Sequence, residues 1–120
     1  MSDVSPESEA TGAEQSLVRL HGFVTGKVQH VHFRKYTQQA ATKLGVTGWV
    51  KNLPDGRVEW VCEGPRAACD ALASWCASKG SPASVIASCE VNEESYRGKF
   101  PRFDVDRSYM TGYQPRMVAK

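Results

Sequence analysis

The nine residues from Gly26 to Arg34 combine the residue types and the spacing that a small-anion site requires. They read Gly-Lys-Val-Gln-His-Val-His-Phe-Arg, and they connect an apolar strand pattern to a helical pattern. A glycine-led loop at a helix start directs several backbone N–H groups to one point, where the helix dipole adds about half a positive charge. Arg34 can add a two-pronged guanidinium contact. The stretch therefore predicts a site for phosphate or another small anion.

The elements that must position this loop follow from the spacing of apolar residues. Strand patterns cover residues 17–24, 46–52, 57–63, 83–91 and 100–106, and helical patterns cover residues 33–44 and 65–79. In the fourth strand, an apolar alternation predicts one face formed by Val85, Ala87, Cys89 and Val91. The order β-α-β-β-α-β, with a short last strand, predicts an α+β ferredoxin-like sandwich. Its two amphipathic helices would cover one face of an antiparallel sheet.

Length and composition indicate one folded domain between two tails. The chain has 120 residues, and residues 1–16 contain four acidic residues and no Lys or Arg, which predicts a disordered acidic N-terminal tail. Residues 17–107 form the predicted domain. Residues 108–120 are either a frayed C-terminal tail or a segment that packs back through Tyr109, Met110 and Tyr113. The four cysteines lack metal-site spacing and are expected to be reduced, buried thiols: Cys62, Cys69, Cys76 and Cys89.

Charge and hydropathy favour an anionic small-molecule ligand over a nucleic-acid or membrane partner. The net charge is +2, so the chain beyond the acidic tail carries +6, which suits an anionic ligand but lacks the dense basic stripe of a nucleic-acid binder. No apolar run is long enough to span a membrane, and the N-terminus lacks the pattern of a secretory signal. We therefore expect a cytoplasmic protein with no nucleic-acid or membrane partner. His30 and His32 have only the distant His21 as a third ligand, so no metal or cofactor is predicted.

Three motifs, in order and at suitable separations, resemble the acylphosphatase family. The first is the loop from Gly26 to Arg34, the second is Gly45-Val-Thr-Gly-Trp-Val-Lys-Asn52, and the third is Asp55-Gly-Arg-Val-Glu59. The family's loop typically reads G-x-V-Q-G-V-x-F-R and its second strand G-x-x-G-W-V-x-N. The resemblance covers residues 17–107 and implies a hydrolase that cleaves the carboxyl–phosphate bond of small acyl phosphates to give a carboxylate and inorganic phosphate. Because no metal site is visible in the sequence, we expect turnover without a metal ion, and we expect a monomer.

The resemblance also implies roles for individual residues. Arg34 corresponds to the family's phosphate-binding arginine, and Asn52 to its water-positioning asparagine. The phosphate-binding loop would comprise Gly26, Lys27, Val28, Gln29, His30 and Val31. These residue types suit the chemistry, because arginine binds phosphate without acting as a base and an asparagine amide can hold a water molecule. Since neither the loop motif nor the second-strand motif supplies a carboxylate base, positioning and charge stabilisation would carry most of the catalysis.

One departure from the family pattern leaves alternatives open. His30 stands where the family's loop usually has a second glycine, and a left-handed backbone there would strain the loop by about 1–3 kcal/mol. The chain could therefore be a phosphate-binding module with weak or lost catalysis. A ferredoxin-like RNA-binding domain is the other alternative, in which Trp49 and Trp60 would stack on bases rather than pack in the protein.

Overall fold

The computed structural model describes residues 16–107 and consists of five strands and two helices within that range. The elements are β1 (Leu17–Lys27), α1 (Phe33–Leu44), β2 (Thr47–Asn52), β3 (Val58–Pro65), α2 (Arg66–Ser78), β4 (Val85–Glu94) and β5 (Phe103–Asp106). This order confirms the predicted ferredoxin-like α+β fold. The tails predicted for residues 1–16 and 108–120 fall outside the described residues, except for Ser16.

The sheet has the order β4-β1-β3-β2-β5. Neighbouring strands are antiparallel except at one edge, where β5 runs parallel to β2. The sequence predicted an antiparallel sheet, and the sheet is mixed because of this one parallel pair. After β4 the chain passes to the opposite edge of the sheet and reverses, so that β5 is antiparallel to β4 and consequently parallel to β2. Glu63 of β3 holds this connection, because its carboxylate accepts the backbone N–H of Arg97 at 2.8 Å and that of Gly98 at 3.0 Å.

The hydrophobic core lies between the helices and one face of the sheet. Alternate residues of the central strands are buried there, and Phe33 of α1 and Leu72 of α2 are each at most 1% exposed. Trp60 of β3 is fully buried and lies opposite Gly22 of β1, where a Cβ atom would come within 2.3 Å of the indole ring. Glycine at this position therefore makes room for the tryptophan. Because Trp60 belongs to the core, it cannot stack on bases.

The predicted apolar face of the fourth strand is confirmed at Cys89 and wrong at Val85, Ala87 and Val91. Val85 is 63% exposed and Val91 is 39% exposed, whereas Ile86 and Cys89 pack against the core. A β-bulge opposite Thr25 and Gly26 inserts one extra residue, Ala87, and shifts the phase of the alternation. The strand also lies at an edge of the sheet, and seven of its ten residues are exposed. Periodicity alone does not reveal such a shift.

The sheet face opposite the helices carries a cluster of charged side chains around His21. Nδ1 of His21 lies 2.7 Å from Oε2 of Glu94, and Nε2 lies 2.6 Å from Oε2 of Glu59. Burial by itself would lower the pKa of His21, but the hydrogen bonds and charges of the two carboxylates raise it overall. Arg19 donates to Glu94 at 2.8 Å and lies 3.3 Å from Glu63. We call this set the His21 cluster: Arg19, His21, Glu59, Glu63 and Glu94.

Candidate active site

The loop between β1 and α1 is held in place by the hydrophobic core and by the turn between β2 and β3. Val28 is 1% exposed and Val31 is 8% exposed, so both side chains point into the core. The side-chain amide of Gln29 donates to the backbone carbonyls of Leu53 at 2.8 Å and Arg57 at 2.9 Å. These bonds join the loop to the turn between β2 and β3. Gln29 therefore supports the position of the loop.

Two histidines bend the loop backbone. His30 has a φ angle of 64° and His32 has a φ angle of 61°, both in the left-handed region that favours glycine. His32 also precedes α1, whose backbone hydrogen bonds include one from Tyr36 N–H to the His32 carbonyl. The N–H groups of the first helical turn are thus directed out of the helix end. The left-handed conformation considered for His30 is present, whereas that of His32 was not foreseen.

Arg34 and Asn52 line one concavity of about 420 Å³. Asn52, at the end of β2, is 2% exposed. Arg34 is half-buried, and its Nη1 atom is fully buried without a hydrogen-bond partner within residues 16–107. A buried guanidinium nitrogen without a partner is rare in folded proteins, because desolvation of a charged donor costs free energy that only a bound acceptor offsets. The concavity is therefore suited to an anion that would accept from Arg34.

The loop residues singled out in the sequence occupy different places. Val28 and His30 line the concavity together with Arg34 and Asn52. Gly26 and Lys27 belong to β1, where they pair with Ile86 and Val85 of β4. The other two residues hold the loop in place: Gln29 by its hydrogen bonds to the turn between β2 and β3, and Val31 by its burial in the core. His32, Phe33, Lys35 and Arg107 complete the lining.

The concavity is strongly basic. Its lining contains two arginines, one lysine and two histidines, and it contains no Asp or Glu among the described residues. Burial lowers the pKa of Arg34, and the nearby positive charge of Arg107 lowers it further. Sequence reasoning missed Arg107 because nothing local in the sequence indicates that β5 pairs with β2 and ends beside Asn52. Within the described part of the chain, no group of three or more His, Cys, Asp or Glu residues could hold a metal ion.

The structure is thus a small α+β sandwich with a basic concavity at its first strand-to-helix loop. A protein-family model described as Acylphosphatase matches residues 20–105, and the chain belongs to the acylphosphatase family. It is 51% identical over 87 residues to the acylphosphatase of Syntrophobacter fumaroxidans, covering 72% of this chain and 89% of the relative. It is 52% identical over 91 residues to the acylphosphatase of Gloeobacter violaceus, covering 76% of this chain and 96% of the relative.

The fold comparison agrees with the sequence comparison. A solved structure of an acylphosphatase from Coxiella burnetii has a TM-score of 0.72 with this chain at 34% sequence identity. The alignment covers 80% of this chain and 99% of that structure. Neither helix found between residues 16 and 107 is long and apolar enough to cross a membrane.

Proposed function

We propose that this protein is an acylphosphatase that hydrolyses acyl phosphates to a carboxylate and inorganic phosphate. Family membership supports the reaction class, and relatives that share about half of its residues are named acylphosphatases. One observation carries the assignment of the site. The buried Nη1 of Arg34, which has no hydrogen-bond partner in the described range 16–107, lies in the same concavity as the buried Asn52.

The proposed mechanism assigns binding of the phosphoryl group to Arg34 and to the N–H groups of the loop and helix start. Asn52 would hold the attacking water through its side-chain amide. The water oxygen forms a bond to phosphorus, the bond from phosphorus to the acyl oxygen breaks, and the electron pair leaves with the carboxylate. Because the lining lacks an Asp or Glu among the described residues, the water proton passes to a phosphoryl oxygen of the substrate. Arg34 stabilises the charge on the equatorial oxygens during transfer.

The oligomeric state, the cellular compartment and the cofactor requirement of the enzyme are also proposals. We propose a monomer in the cytoplasm that needs no metal ion or cofactor. The four cysteines support a reducing compartment, because all of them are free thiols. Small acyl phosphates suit the size of the concavity, which is near the lower end of the volumes typical of small-molecule sites.

The test is hydrolysis of a small aromatic acyl phosphate in the presence of a chelator. Wild-type turnover should survive the chelator, and Arg34→Ala should lose both phosphate affinity and turnover, the latter by a factor of at least about a hundred. Arg102→Ala is the matched control, because the side chain of Arg102 is 72% exposed and, among residues 16–107, forms its one ion pair with Asp104. Near-normal turnover in Arg34→Ala would contradict the proposed site.

A second candidate function rests on the backbone of His30. Its φ angle of 64° places a non-glycine residue in a strained conformation at the loop, which could leave phosphate binding intact and slow the reaction. This phosphate-binding module would bind inorganic phosphate but would hydrolyse acyl phosphates only weakly or not at all. Base stacking has less support, because Trp60 is buried and Trp49 already contacts His21 and Lys51.

A further inference from the structure

Burial divides the concavity into a floor and a rim. The floor contains Val28, Phe33 and Asn52, each at most 2% exposed, together with the buried Nη1 atom of Arg34. The rim consists of four exposed side chains, all capable of positive charge: His30, His32, Lys35 and Arg107. If the phosphoryl group occupies the floor, as the proposed function requires, then the acyl group of the substrate must face the rim.

The floor and rim together provide more positive charge than a phosphoryl group neutralises. Arg34, Lys35 and Arg107 give three permanent positive charges, and no carboxylate lines the concavity in the described range. A phosphoryl group carries a charge of about −1.5 to −2 near neutral pH. At least one positive charge therefore remains, and it lies on the exposed side, where the acyl group leaves.

Four of the five described arginines outside the concavity form ion pairs with carboxylates, whereas Arg97 and the cations of the rim form none among residues 16–107. Arg19, Arg57, Arg66 and Arg102 each form an ion pair with a carboxylate at 2.7–2.9 Å. Lys35 and Arg107 have no ion-pair partner among residues 16–107. Arg107 instead lies close enough to Arg34 for the two positive charges to interact unfavourably. An additional anion at the rim would offset this repulsion.

We propose that Arg107 and Lys35 are specificity residues that bind a carboxylate carried on the acyl group, so that the preferred substrates are acyl phosphates with a second, anionic end. A single carboxylate matches the surplus of about one positive charge. This inference rests on the proposed function for the role of the floor. It assigns the rim to substrate selection rather than to the reacting phosphoryl group.

The first test measures binding without chemistry. Propylphosphonate and 3-phosphonopropionate have the same chain length and a stable carbon–phosphorus bond, and only the second carries a carboxylate. Wild-type protein should bind 3-phosphonopropionate about two- to five-fold more tightly at low salt, as expected for a solvent-exposed ion pair. The preference should decrease when the salt concentration is raised to about 0.5 M.

Arg107→Met is the decisive variant, because it removes the charge and keeps an apolar side chain of similar length. It should abolish the preference for the carboxylated phosphonate, whereas Arg102→Met, the matched surface control, should retain it. A wild-type protein without a preference would overturn the inference. Equal weakening of both phosphonates by Arg107→Met would also overturn it, because Arg107 would then act on the phosphoryl group.

The second test compares the turnover of butyryl phosphate and succinyl phosphate, which differ in the same way. The ratio of kcat/KM should favour succinyl phosphate in the wild type, and it should fall about two- to five-fold in Arg107→Met. A ratio near one with normal hydrolysis of butyryl phosphate would refute the role of the rim and leave the activity in place. If neither substrate is hydrolysed, the activity proposal fails, and the phosphonate affinities alone decide the role of the rim.

Discussion

Raising the pH from about 6 to about 8.5 should lower the melting temperature of this protein, and replacing His21 by glutamine should remove most of that change. The imidazole lies between two carboxylates, with one ring nitrogen 2.7 Å from Glu94 and the other 2.6 Å from Glu59. A neutral imidazole has only one N–H group and can donate to only one of them. The geometry therefore requires the protonated ring, which donates to both.

The magnitude follows from these two hydrogen bonds. The side chains of His21, Glu59 and Glu94 are 23%, 15% and 33% exposed, so solvent screens their charges only in part. Two partly screened charge-assisted bonds contribute about 1–2 kcal/mol together. For a domain of this size that corresponds to a change of about 5–10 °C in melting temperature.

The direction of the effect follows from the pKa shift. The pKa of His21 is raised above its ordinary value of 6.5 in the folded protein, where the hydrogen bonds and charges of the two carboxylates outweigh the opposing effect of burial. Its contribution to stability is complete below that value and is lost as the pH rises through the higher folded pKa. The pKa of Glu94 is lowered below 4.5, first by the hydrogen bond from Arg19 and then by that from His21. That contribution is present above 4.5 and is lost as the pH falls, so the cluster is most stable in mildly acidic solution.

Thermal unfolding followed by circular dichroism at the two pH values is the assay. His21→Gln should be less stable than the wild type at the lower pH and should show little change between the two. His32→Gln is the matched control, because His32 is exposed and lacks an ion-pair partner in the range 16–107, so the wild-type pH dependence should persist. A wild-type melting temperature that stays constant or rises with pH would refute the reasoning.

Three further outcomes are expected. Asn52→Ala should lower kcat by a factor of about a hundred while phosphate affinity, measured by calorimetry, stays near the wild-type value; an equal loss of both would give Asn52 a structural role. His30→Gly should raise kcat if the backbone strain at a φ angle of 64° slows the reaction. A lower kcat, together with a pH–rate profile that lacks one titrating group of the wild type, would mean that the imidazole takes part in the reaction. Gly26→Ala should lower the free energy of unfolding by more than about 2 kcal/mol in urea denaturation, because its Cβ atom would lie 2.2 Å from the Val85 carbonyl; wild-type stability would show that β4 can move away.

The sequence was sufficient for the features that depend on local pattern. The period of apolar residues predicted α1 from Phe33 to Leu44, and the motifs predicted that Arg34 and Asn52 belong to one site, which the common concavity supports. The sequence was insufficient for features that depend on contacts between residues far apart in the chain. Arg107 reaches the site only because β5 pairs in parallel with β2, and the bulge at Ala87 depends on the register with β1. No local spacing encodes either contact.

The loop shows how the domain maintains a strained site. Left-handed backbone at His30 and His32 costs about 1–3 kcal/mol at each position, and such conformations persist only where the surrounding contacts determine them. Here the contacts come from three directions: Val28 and Val31 are buried in the core, Gln29 donates twice to the turn between β2 and β3, and α1 begins directly after His32. The loop is thus held in place before any anion binds, and binding does not have to order it. In the proposed mechanism, preorganisation of this kind allows fixed N–H groups and one arginine to stabilise a transferring phosphoryl group without a catalytic base.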